Sequence, residues 1–149
     1  MQRVLSAYDQ IARWLAGRWV ESGALLLTRL ALAGVFWRSG RTKVAQGTWL
    51  TIDETQYYLF EEFGLPLSPE IMVPVTTFAE FALPILVALG LMTRFSALAL
   101  LGMTLVIQLF IFPEAWWPTH SLWAAMALAL VSRGGGLFSL DALLARRRK

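Results

Sequence analysis

The sequence predicts an all-α integral membrane protein, a four-helix bundle preceded by an N-terminal amphipathic helix at the interface. Three observations predict it. Of 149 residues, 57% are hydrophobic and 15% charged, where a soluble domain carries about 25% charged residues. Four apolar stretches approach the roughly 20 residues that cross a bilayer core. The basic residues flank those stretches instead of sharing one polar face, so the net charge of +3 does not point to nucleic acid. The absence of Cys excludes disulfides, thiolate metal sites, iron–sulfur clusters and cysteine nucleophiles.

Within residues 1–20, Val4, Tyr8, Ile11, Leu15 and Trp19 share one helical face, with Arg3, Asp9, Gln10 and Arg13 elsewhere. That pattern suits a helix lying on the membrane surface; docking on another protein is the alternative. Asp9, Arg13 and Arg18 interrupt any continuous apolar run here, so no cleavable signal peptide is expected. The spans fall at about 22–40, 69–92, 94–112 and 118–132. Ser68-Pro69-Glu70 predicts the start of the second: a Ser N-cap, Pro at the first helical position and an acid at the positive dipole end. Arg94 marks the turn into the third span, Pro113 ends it and Pro118 opens the fourth. That fourth span is short, about 22 Å if fully helical. It borrows length from flanking aromatics or thins the bilayer. Between the first two spans, Thr55–Phe63 predicts a short helix stopped by Gly64. Gly134-Gly135-Gly136 breaks the last span, and Ser139 caps a short Leu140/Leu143/Leu144 piece in the tail 134–149. No repeat or linker divides residues 1–149, which read as a single domain.

Charge sets the orientation. With alternating spans, Arg3, Arg13, Arg18, Arg94, Arg133 and the Arg146-Arg147-Arg148-Lys149 tail share one side. The other holds Arg41 and Lys43 against Asp53, Glu54, Glu61, Glu62, Glu70 and Glu114. Both termini are therefore expected in the cytoplasm. Trp14 and Trp19 suit one interface, and Trp49, Trp116 and Trp117 the other.

Ionisable residues inside a span cost at least about 2.5 kcal/mol each and need a partner or a purpose. Arg29 in the first span and Glu80 in the second lie at similar depth when rise is counted from opposite ends, which predicts an Arg29–Glu80 pair. Such a pair either fixes helix register or belongs to a site. Pro84 clashes with the carbonyl of Glu80 and predicts a kink with a free acceptor there, and a cavity or ordered water beside it. Arg38, Arg41 and Lys43 lie at the outer end of the first span; Arg38, nine positions after Arg29, faces nearly the opposite way and reaches for headgroups. Gln108 in the third span is interhelical glue or a ligand donor. His120, the single histidine, is an interfacial hydrogen-bonding group or a proton-exchanging one. One His without Cys makes no metal site, and Met72, Met92, Met103 and Met126 read as packing. Nucleophile triads, phosphate-binding glycine loops and paired hydrolytic carboxylates are missing from the sequence.

The run Arg29-Leu30, Phe36-x-x-Ser39-Gly40-x-x-Lys43, then Glu80, the turn Gly90-Leu91-x-Thr93-Arg94 and the ending Ser139-Leu140-Asp141 together resemble the DoxX family of small bacterial four-span membrane proteins. The stretch Phe112-Pro113-Glu114-Ala115-Trp116-Trp117-Pro118-Thr119-His120 is similar to one proteobacterial subgroup of it. The resemblance runs from about Leu25 to Leu144, and Gly134-Gly135-Gly136 departs from the Gly-Pro-Gly form of many members. It implies the bacterial inner membrane and redox association. The family takes its name from a subunit of an archaeal membrane quinol oxidase, and relatives belong to thiosulfate–quinone oxidoreductases or to membrane complexes against oxidative stress. It transfers positions, not roles, to Arg29, Glu80 and His120.

Two function classes follow. The first is an accessory redox subunit, not an enzyme on its own, with a quinone-like or other lipophilic ligand in the bundle. Trp37, Phe78, Phe81 and Trp123 would wall such a site; Arg29, Gln108 or His120 would donate, and Glu80 would exchange the proton. The second is a structural or assembly protein whose polar core only holds helices together. Either expects the bilayer and a membrane or peripheral protein, or a second copy of the chain, as partner. A small-solute or metal transporter is a third class, disfavoured by short spans without a repeat.

Overall fold

The computed structural model describes residues 2–147, with side chains described from residue 8 onward. Val4 and Arg3 of the predicted surface helix, and Arg148 and Lys149 of the basic tail, therefore fall outside the described side chains. Helices run α1 (Gln2–Leu15), α2 (Arg18–Thr42), α3 (Thr55–Glu62), α4 (Pro69–Leu89), α5 (Thr93–Val106), α6 (Ser121–Arg133) and α7 (Leu140–Arg147). No strand occurs among the described residues, which leaves one isolated bridge between Val44 and Ile52.

Among the described residues three helices are long and apolar enough to cross a membrane: Arg18–Thr42, Pro69–Leu89 and Thr93–Ile111, the last being α5 with its continuation. α6 has 13 residues, about 20 Å of rise, and falls short of that length alone. It nevertheless packs in the bundle, chiefly against α5 and α2, while α4 packs along α2. Leu25, Leu32 and Phe36 of α2 meet Val87, Leu100 and Leu130 in one core. The outward faces are equally apolar: Leu27, Phe95, Leu98, Leu109 and Leu128 stand exposed. Apolar side chains on both faces are what a helix in lipid requires. Along α1, Tyr8, Ile11, Trp14 and Leu15 are also exposed, with Trp19 at the start of α2.

Local chemistry explains the ends. Ser68 precedes α4 in extended conformation with Pro69 at the first position, although its hydroxyl makes no cap and its carbonyl accepts from Ile71 and Met72 instead. Pro74 and Pro84 lie within α4, which continues through both. Gly90 ends it in the left-handed region at φ 68°. Beyond α5 the chain widens into a π-helical turn at Ile107–Ile111, a 3₁₀ turn at Pro113–Ala115 and a second wide turn at Trp116–His120. Both wide turns adjoin prolines, which supply no N–H to continue an α ladder.

The end of the bundle where α2 starts and α6 ends (the tail end) is closed by long-range hydrogen bonds. Asp141 Oδ1 accepts the Met92 N–H at 2.8 Å, and Oδ2 accepts the N–H and hydroxyl of Thr93 at 2.9 and 2.8 Å. Asp141 thus caps α5 from 49 residues away. Arg94 Nη1 donates to the carbonyls of Val131 and Ser132 at the end of α6. Burial raises the Asp141 carboxyl, but the Thr93 and Met92 hydrogen bonds and the Arg29 charge outweigh it and hold the group below the usual carboxylate range. A carboxylate lowered on folding stabilises above its unfolded pKa and loses that contribution as pH falls through the folded value. Asp141→Ala is therefore expected to cost about 1 kcal/mol or more at neutral pH, as a lost helix cap does. The difference from wild type should vanish in melts run well below pH ~4.

Candidate functional site

At the opposite end of the bundle (the loop end) Glu80 is buried at 2% exposure. Its partner is Lys43, whose Nζ donates to Oε2 at 2.7 Å and to Oε1 at 2.9 Å. The Ser39 hydroxyl donates to Oε1 at 3.0 Å and accepts from Lys43 at 3.3 Å. Ser39 and Lys43 stand one turn apart on α2 and its end, so both reach one point. Gly40 lies between them against the Glu80 backbone, where a Cβ would sit 3.2 Å from Glu80 Cβ and 3.3 Å from its carbonyl oxygen. The missing side chain lets α2 and α4 approach, and the carbonyl that Pro84 frees faces Gly40.

The predicted Arg29–Glu80 pair is not formed. Glu80 is level with Gly40, whereas the Arg29 guanidinium reaches Gly90 and donates through Nη2 to the Phe138 carbonyl at 2.6 Å. Eleven residues of α2 separate the two levels, about 16 Å of rise. Counting depth from hydrophobic ends misplaced them because α2 begins at Arg18 and because Pro69–Thr77 of α4 runs beyond the level of Gly40, packing on α3. Lys43, at the outer end of the first span, is turned inward at 13% exposure. Arg38 is exposed, as expected of a headgroup contact.

Gln108 and His120 do come together. Gln108 Nε2 donates to the Pro113 carbonyl at 2.6 Å, which leaves Gln108 Oε1 as the atom facing His120 Nδ1 at 2.7 Å. An amide oxygen only accepts, so this network assigns the proton of the neutral imidazole to Nδ1. Nε2 is then a lone-pair acceptor, and it has no partner among the described residues. The ring also packs on Trp123, centroids 4.9 Å apart.

Between the Lys43–Glu80 pair and His120 lies a cavity of about 510 Å³, with a wall largely of Phe36, Phe60, Phe63, Met103 and Trp123. The short helix α3 contributes Gln56, Leu59 and Phe60 to it and roofs the loop end. The volume falls in the range of small-molecule sites, roughly 300–1,000 Å³. Of the four predicted wall residues only Trp123 lines it. Phe78 is 74% exposed and faces outward. Trp37 packs edge-on to Phe81 at 5.1 Å and beside Trp49, under Arg41, on a separate flank. Sequence reasoning missed Ser39 and Lys43 as site residues, although their i, i+4 spacing was there to find; the short helix expected over Thr55–Phe63 forms as α3 and turns Phe60 and Phe63 to the cavity. Among the described residues no group of three His, Asp or Glu side chains could hold a metal ion.

A family model, DoxX, matches residues 24–113, the stretch that holds Ser39, Lys43, Glu80 and Gln108. The chain belongs to the DoxX family. No curated protein and no solved structure matches it significantly. As a DoxX protein with three membrane-length apolar helices, it is an integral, multi-pass membrane protein. Its lipid-facing helices carry the cavity between them.

Proposed function

We propose that this DoxX protein is an accessory subunit of a redox complex in the bacterial inner membrane, and that its loop-end cavity takes a quinone-like lipophilic ligand. In this reading α6 is a fourth, short span, and the excess of basic residues at the tail end supports cytoplasmic termini, with the cavity toward the outer half of the bilayer. The observation that carries the reading is the apolar cavity of about 510 Å³ with His120 on one wall and the Lys43–Glu80 pair on another. The polar atoms suit the reduced form of such a ligand. The Nζ protons of Lys43 are engaged by Glu80 and Ser39, so the free function is the acceptor Nε2 of His120, which matches a hydroxyl. An aromatic head would stack on Trp123 or Phe36, and the amide of Gln56 is within the same wall. In this reading a membrane or peripheral protein, or a second copy of the chain, completes the complex.

Mass analysis of lipids extracted from the protein purified in mild detergent is expected to find a quinone near one per chain, displaceable by a short-chain quinol. His120→Phe keeps a ring on Trp123 and removes Nε2, together with the Nδ1–H that Gln108 Oε1 accepts, so its melting is compared with wild type as well. Retained quinol should fall about tenfold, the worth of one hydrogen bond. An extract without quinone, together with a melting temperature that a short-chain quinol leaves unchanged, overturns the reading. A scaffold role is then the better one, because the polar side chains Lys43, Glu80 and Ser39, and Gln108 with His120, already satisfy one another.

A further inference from the structure

A second cavity, of about 670 Å³, opens at the tail end, where the starts of α2 and α5 meet the glycine run after α6. Arg18, Arg94 and Arg133 line it. Two acids line it as well, but both are engaged: Glu21 pairs with Arg133 at 3.2 Å, and Asp141 caps α5. Arg94 spends Nη1 on the end of α6 and lays the rest of its guanidinium against Gly134, with Nε 3.5 Å and Nη2 3.7 Å from where a Cβ would be. The N–H groups of Gly135 and Gly136 have no acceptor among the described residues. Behind the wall, one turn beyond Leu25, buried Arg29 keeps Nε and Nη1 without an acceptor. Three guanidiniums at the rim, one behind it and unengaged backbone donors leave this cleft short of negative charge. Beside the polar Ser22, Thr93 and Ser139, one part of its wall is apolar: Leu25, Met92 and Phe95 line it, and Phe95 is 61% exposed.

We propose that this cleft binds the phosphate of an anionic phospholipid headgroup, with the acyl chains lying along Met92 and Phe95. A phosphate diester suits arginine forks and backbone N–H groups, and basic clefts between membrane helices take such headgroups. A free phosphate would use the same donors but gain nothing from the apolar border. The assignment is independent of what the loop-end cavity holds.

The test uses the purified full chain in uncharged detergent, titrated with dioctanoyl phosphatidylglycerol, dioctanoyl phosphatidylcholine and glycerol phosphate, binding being read by native mass spectrometry and by tryptophan melting. Phosphatidylglycerol is expected to bind at least fivefold more tightly than the other two. Arg18→Gln and Arg133→Gln should each weaken it roughly fivefold. The Arg133–Glu21 pair is exposed and worth little, so both variants should melt near wild type; if Arg133→Gln does not, Arg18→Gln alone carries the test. Equal binding of phosphatidylglycerol and phosphatidylcholine, or undiminished binding by Arg18→Gln, overturns the site. Glycerol phosphate binding as tightly as phosphatidylglycerol overturns the lipid assignment.

Discussion

Lys43→Ala is expected to be among the most damaging single changes in this protein, at about 3–5 kcal/mol of stability in detergent, because it strands a buried carboxylate. Glu80 is 2% exposed, and only Ser39 would still donate to it. Glu80→Ala should cost a comparable amount for the converse reason. The double variant should recover part of the loss, since neither charge is then left alone, with a coupling of 1 kcal/mol or more. Arg29→Ala combined with Glu80→Ala should instead be additive within about 0.5 kcal/mol, as befits sites about 16 Å apart along the bundle. Thermal melts of the six proteins decide it. Additivity in the Lys43/Glu80 cycle, or coupling in the Arg29/Glu80 cycle, would mean that the pairing described above is wrong.

That contrast also marks what was legible in the sequence. Hydropathy, Ser68-Pro69 and Arg94 locate α2, α4 and the turn into α5 because those signals are local. Helix register is not local. Whether Glu80 meets Arg29 or Lys43 depends on how far α4 slides along α2, and the slide is set by close approach at Gly40 and Gly90, not by where the apolar runs stop. Lys43 has no partner to be read from the sequence until α4 brings a carboxylate to it. Gln108 and His120 were legible as polar groups at one end of adjacent helices, but their contact needs the wide turns at Ile107–Ile111 and Trp116–His120, which no simple helical period foretells. Phe78 failed as a wall residue for a general reason. In a membrane helix both faces are apolar, so an aromatic side chain does not declare which way it points.

Two glycines with positive φ, Gly90 and Gly47, separate backbone strain from packing. Gly90→Ala is expected to cost about 3 kcal/mol or more, for two reasons that add. Its φ of 68° lies in the left-handed region, where a Cβ costs about 1 kcal/mol. The Cβ would also overlap Arg29 Nη1 and lie 2.5 Å from Ser139 Cβ. The guanidinium cannot step aside freely, since Nη2 is held by the Phe138 carbonyl and the residue is fully buried. Gly47→Ala is the control. Its φ is 79°, in the same region, but a Cβ there meets nothing within 4 Å, so only the strain of about 1 kcal/mol should appear. Both variants are compared by melting in one detergent. The gap between them measures how tightly Arg29 is clamped between the α4–α5 turn and the tail. Arg29→Ala should narrow that gap by relieving the collision, whereas an equal gap in the Arg29→Ala background would place the cost of Gly90→Ala on Ser139 or on the backbone alone.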